Sequence, residues 1–274
     1  MLKKLFKYEW KASSRLLLAV YGIVILFSIL SRIFMEVSGI NGSEEAGLPI
    51  LETIAALFLM LSVVMLCCSV VFTWVFIAYR FYKSVFTEQG YLTNTLPVTQ
   101  QQIIVAKGLV GVIWQIVNLL LVMISFFIIA ATPKDLGMIF RAIPDLFKLF
   151  VNPDIGLTMW MILAAVILSP FTMVMEMYMC VAIGNLLNGH KVLGAVGTYA
   201  GIYAVQQIIA IIVMAATSVR YVSVDYNTTS EQAQGRVLNF VNINLVMGIV
   251  LGAILLVVGY LVTKHIMTKK LNLQ

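Results

Sequence analysis

The chain has 274 residues, of which 61% are hydrophobic and 11% charged, with a net charge of +6 and a mean hydropathy of +1.00. A water-soluble domain is roughly half apolar and about one quarter charged, so a single soluble core is excluded and lipid is the solvent this composition fits. Cys67, Cys68 and Cys180 lie inside apolar runs, odd in number and without metal-ligand spacing, which excludes a disulfide framework and a cysteine zinc site.

The chain opens with MLKKLFKYEWKASSR. At helical spacing, Leu2, Leu5, Phe6 and Trp10 fall on one side, while Lys3, Lys7 and Lys11 repeat every four residues on another and Lys4 joins them. Residues 1–15 are therefore expected to form an amphipathic helix lying at a membrane interface, with Trp10 and Tyr8 at headgroup level. No cleavage-site pattern follows a short apolar stretch, so a signal peptide is not expected.

Charges then delimit six apolar runs, 16–35, 53–79, 104–131, 157–187, 192–217 and 241–263, each long enough to cross a hydrocarbon core ~30 Å thick at 1.5 Å per residue. The runs are continuously apolar rather than alternating, which favours helices over a barrel. With the N-terminus inside, twelve of the 18 Lys and Arg fall on inner segments, the bias expected of cytoplasmic loops, and both termini are placed in the cytoplasm.

Two connections carry more than turn signals. In the outer one, 132–156, Ile139, Ile143, Leu146, Phe147 and Phe150 recur at helical spacing among Lys134, Arg141 and Lys148, predicting a short surface helix broken near Pro144. In the inner one, 80–103, Gly90 ends a helical turn, Leu96 precedes Pro97 and is held extended, and Thr99 followed by Gln102 is a capping-box pattern. That loop is expected as a short helix, a turn and a sharply started helix carrying Lys107 into the membrane. The predicted fold class is an all-α integral membrane protein, a single domain of six transmembrane helices.

The string Tyr91-Leu-Thr-Asn-Thr-Leu-Pro-Val-Thr, followed by Gln and Ile and then Lys107, together with the opening Lys-Lys-Leu-Phe-Lys-Tyr-Glu-Trp-Lys, resembles bacterial ABC-2 type transporter permeases, in particular small permeases of Gram-positive bacteria that pair with a separate ATPase subunit. The resemblance covers the whole chain in topology and is specific only over 1–15 and 80–107. It implies a homodimer of this chain in the bacterial plasma membrane with two copies of an ABC ATPase, which bind the ATP and Mg; no cofactor is expected in this chain and no nucleic acid among its partners. It implies that 80–103 holds a coupling helix contacting the ATPase through Glu88, Gln89, Gly90, Tyr91, Leu92, Thr95, Leu96, Pro97 and Thr99. It implies export of amphipathic or hydrophobic cargo, antimicrobial or cytolytic peptides among the classes. In better-known members a re-entrant segment lies between spans five and six; here that connection is short and polar.

No nucleotide-binding motif is present. The nearest approach to a P-loop, Gly184-Asn-Leu-Leu-Asn-Gly189-His190-Lys191, lacks the Lys-[ST] order. Glu176 is the one acidic residue inside a span, where a charge costs about 3 kcal/mol, so it is expected to be protonated, paired or facing water. Asn118, Gln115, Gln206 and Gln207 are its candidate polar neighbours; Glu176, Asn118 and Gln115 are carried forward as a candidate substrate pathway. The alternative functions are an ion-coupled transporter using Glu176, favoured against by the small number of spans, and a non-transporting scaffold or sensor. Gly197/Gly201 and Gly248/Gly252 have the spacing that lets helices approach closely, within the chain or between copies.

Overall fold

The computed structural model describes residues 2–39, 49–87, 90, 99–130, 133–187, 189–221 and 230–269. Among these there are seven helices and no strand: α1 (Leu2–Val37), α2 (Pro49–Val85), α3 (Gln100–Ala130), α4 (Pro133–Val151), α5 (Gly156–Gly184), α6 (Lys191–Tyr221) and α7 (Ser230–Lys269). All but α4 are long and apolar enough to cross a membrane. They overrun the predicted spans because a charge ends an apolar run without ending a helix: Arg80 and Lys83 stand in the last turns of α2. Lys107 lies two turns into α3, as expected.

Residues 2–15, expected as a separate surface helix, continue without a break into the first apolar run, giving one helix of 36 residues. At 1.5 Å per residue this is ~54 Å, well beyond the ~30 Å of hydrocarbon. The connection 132–156 holds the expected helix, α4, but Pro144 stands inside it and does not end it. Met138, Leu146, Phe147 and Val151 of α4 are exposed.

The chain divides into two compact units, residues 1–80 with 102–140, and residues 81–101 with 141–274. In the first, Ser13, Leu17, Tyr21, Val24, Ser28 and Ser31 make the buried stripe of α1 at three- and four-residue steps. Ala55, Ser62, Ser69 and Thr73 do so on α2, and Lys107, Gly111, Trp114, Asn118, Leu121 and Ser125 on α3. Small side chains on these stripes let the backbones approach, as helix packing in lipid requires. The Ser62 hydroxyl lies 2.9 Å from the Phe27 carbonyl across the α1–α2 contact, and Phe34 stacks on Phe58 at 4.4 Å.

In the second unit α5 packs on both α6 and α7. Near its C-terminal end α5 meets α6 backbone to backbone: a Cβ added at Gly184 would lie 2.3 Å from the Ala195 amide nitrogen. Asn185 to His190 join the two helices, and Gly189, at φ +96°, adopts the left-handed conformation that glycine alone takes without strain. On α7, a Cβ at Gly259 would lie 3.0 Å from the Met175 carbonyl oxygen of α5, and one at Gly252 3.3 Å from Thr172. By contrast, Gly197, Gly201 and Gly248 have open space where a Cβ would go. Among the described residues the close helix approaches therefore run through Gly184, Gly194, Gly252 and Gly259, not through the full G-x-x-x-G pairs. Thr158 donates to Asn242 Oδ1 (2.7 Å) and Asn244 to Thr217 Oγ1 (3.1 Å), tying α7 to α5 and α6.

Candidate functional site

Two groups of polar side chains sit where lipid-embedded helices normally carry none. The first is in the α1–α3 unit and is built on Glu9. Its Oε2 accepts from Arg80 of α2 at 2.7 Å, and its Oε1 accepts from the Lys107 ammonium of α3. Lys107 is 5% exposed, Glu9 17% and Arg80 29%, so this is a largely desolvated cluster of two cations on one carboxylate. The Arg80 Nε is also buried, with no acceptor among the described residues, so positive charge is in excess. One turn of helix packing secures it: Trp10 stacks on Trp114 at 4.7 Å with the rings 16° apart, and Ser13 donates to the Glu9 carbonyl at 2.8 Å.

Above this charged layer the same three helices carry neutral polar groups at matching heights. Counted at 1.5 Å per residue, Thr73 and Trp114 stand ~10 Å along their helices from it, Ser69 and Asn118 ~16 Å, Tyr21 ~18 Å, and Ser28, Ser62 and Ser125 ~27 Å. Thr73 donates to the Ser69 carbonyl (2.7 Å), which leaves the Tyr21 hydroxyl as the donor of the 3.0 Å contact to Thr73 Oγ1. Asn118 Nδ2 reaches the Ser69 carbonyl at 3.4 Å. The result is a polar seam joining α1, α2 and α3, in which Tyr21 to Thr73 and Asn118 to Ser69 are the kind of interhelical hydrogen bond that lipid favours over an unpaired group.

The second group surrounds Glu176, half-buried on α5 eight residues before Gly184. Of the four candidate neighbours, Gln206 of α6 supplies the contact, donating through Nε2 to Glu176 Oε1 at 2.8 Å. Gln207 donates instead to the Tyr203 hydroxyl (2.8 Å), and Tyr203 stacks on Tyr199. Asn118 belongs to the seam of the other unit, and Gln115 is half-buried there. Pro170 is buried and α5 runs through it as helix.

Of the coupling residues, Glu88, Gln89, Tyr91, Leu92, Thr95, Leu96 and Pro97 lie outside the described residues. The amide of Gly90 donates to the Thr87 carbonyl at 2.7 Å, and a Cβ there would lie 2.2 Å from the Val85 carbonyl oxygen, so that turn admits only glycine. Thr99 immediately precedes α3. Lys3, Lys4, Lys7 and Lys11 are exposed on α1 as the amphipathic pattern requires, while Trp10 faces α3. Sequence reasoning missed Glu9. The signal was there: in helical projection it lies within the Leu2, Leu5, Phe6, Trp10 arc, a carboxylate on the apolar side that needs a cation from another helix. Among the described residues no group of His, Cys, Asp and Glu could hold a metal ion.

Six spanning helices with buried polar groups define a multi-pass α-helical membrane protein. No family model, curated protein or solved structure matches the chain.

Proposed function

We propose that this chain is the membrane-spanning permease subunit of an ATP-driven exporter. The observation that carries the transport part is Glu176: a carboxylate within a spanning helix, half-buried, with Gln206 as its hydrogen-bond donor. Ionisable groups at that depth mark cargo or ion pathways more often than packing, because the fold bears the cost of keeping them out of water. The ATP-driven part rests on the resemblance of 1–15 and 80–107 to ABC-2 permeases. In this reading the chain works as a homodimer in a bacterial plasma membrane, with both termini cytoplasmic and the basic end of α1 among anionic headgroups. Two ATPase subunits hold the ATP and Mg and act on a coupling helix in 80–103. Cargo is amphipathic or hydrophobic, peptides included.

The test is purification in mild detergent from cells expressing the native gene neighbours, with the stoichiometry and ATPase activity of the product measured. A 2:2 complex with an ATPase supports the exporter; a chain that purifies alone and recruits no ATPase activity refutes it. The second reading, ion-coupled transport through Glu176, draws on the same carboxylate. It predicts transport abolished by a protonophore and indifferent to vanadate.

A further inference from the structure

Arg80 and Lys107 bracket one stretch of chain: the inner connection leaves α2 just after the first and is back inside α3 at the second. Both are held by the same carboxylate on a third helix. We infer that Glu9 is a positioning residue that fixes the spacing between the inner ends of α2 and α3 and ties both to α1.

The chemistry of the cluster makes this a clamp and not simply a pair of surface contacts. Arg80 and Lys107 repel each other, and with Lys107 buried there is little water to screen them. Only the carboxylate between them makes their proximity favourable, so the two helix ends are close because Glu9 is there. Each Glu9 oxygen takes one cation, so releasing either helix leaves the other held, whereas neutralising Glu9 releases both. The stack of Trp10 on Trp114 keeps the carboxylate at the right height on α3, and the continuity of α1 passes any displacement of the clamp along the whole first span. If the connection is where a partner pushes, α1 moves with it; that consequence rests on the exporter reading, but the clamp does not.

The experiment uses the full chain in lipid nanodiscs with Cys67, Cys68 and Cys180 replaced by Ala. Spin labels are attached at Val75→Cys and Val105→Cys, both exposed and neither bonded to the cluster. Electron–electron distance measurements are expected to give one narrow distribution with Glu9 present. With Glu9→Gln the distribution is expected to broaden and its mean to lengthen by ~5 Å, the scale of one helical turn. The decisive variant is the triple charge exchange Glu9→Lys with Arg80→Glu and Lys107→Glu, which sets one cation between two carboxylates in place of one carboxylate between two cations and is expected to restore the narrow distance. Lys107→Met, which leaves Glu9 and Arg80 paired, is expected to broaden it as well and serves if Glu9→Gln does not fold. Distances unchanged in Glu9→Gln or Lys107→Met, or an exchange that folds but stays broad, overturn the clamp. Because no ATPase is involved, this failure is separable from failure of the exporter reading.

Discussion

Replacing Glu9 with Gln and, separately, Lys107 with Met removes one charge each from the same cluster, yet the two changes should differ several-fold in cost. At an effective dielectric of ~20, two unit charges at contact distance interact by about 4 kcal/mol. Glu9→Gln forfeits two such attractions, to Arg80 and to Lys107, and leaves the cations repelling each other across an amide. Recovery of the carboxylate's own desolvation cost offsets part of this, and the net expected loss is about 3–5 kcal/mol, as when other buried pairs lose one partner. Lys107→Met forfeits one attraction but also removes the burial cost of an ammonium that is 5% exposed and its repulsion from Arg80. Glu9 and Arg80 remain paired one to one, and the methionine refills most of the volume, so the net change is expected within about 1 kcal/mol. Reversible unfolding in mixed micelles on titration with a denaturing detergent measures both, and the double variant closes the cycle. A Lys107→Met cost equal to that of Glu9→Gln would refute the charge-balance argument.

Other substitutions separate packing from polarity. Gly184→Ala should lower the yield of monodisperse protein sharply, since its Cβ meets the Ala195 backbone at 2.3 Å, whereas Gly197→Ala and Gly201→Ala, with nothing within 4 Å, should leave it unchanged. Glu176→Gln, close in shape, should keep unfolding within about 1 kcal/mol of wild type yet reduce cargo export at least ~10-fold; equal export would move the pathway elsewhere. Tyr21→Phe removes the hydroxyl that bonds Thr73 and should cost about 1 kcal/mol in the same unfolding assay, the usual worth of an interhelical hydrogen bond. On α4, Asp145 draws Lys148 above its ordinary pKa, but both side chains are exposed, and Asp145→Asn should leave the unfolding midpoint unmoved.

The six spans were legible because hydropathy over 20 residues is a sum, insensitive to any one contact. Their ends were legible in part: the capping pattern at Thr99 and Gln102 marked the start of the helix that carries Lys107, whereas Arg80 and Lys83 looked like limits and α2 carries them onward to Val85. The same blindness hid the cluster. Arg80 and Lys107 read as inner flanking cations, and Glu9 as one acid among many bases, since pairing across 71 and 98 residues leaves no local pattern. Gln206 was among the neighbours named for Glu176, but nothing in the sequence ranked it above Asn118, whose partner is Ser69. Likewise Gly184 lacks a glycine four residues away, so the spacing rule passed over the position where α5 and α6 actually touch.

That contact has a mechanical meaning. With no side chain on Gly184, the α5 and α6 backbones touch there, and a small change in their crossing angle pivots about that contact, as about a fulcrum. Glu176 lies eight residues up the lever arm, ~12 Å away. An opening of ~10° at the fulcrum displaces the carboxylate by ~2 Å relative to α6, enough to carry the 2.8 Å Gln206 contact beyond hydrogen-bond range. A rotation too small to disturb the packing at Gly184 would therefore be read out as a broken hydrogen bond at the carboxylate inside the span.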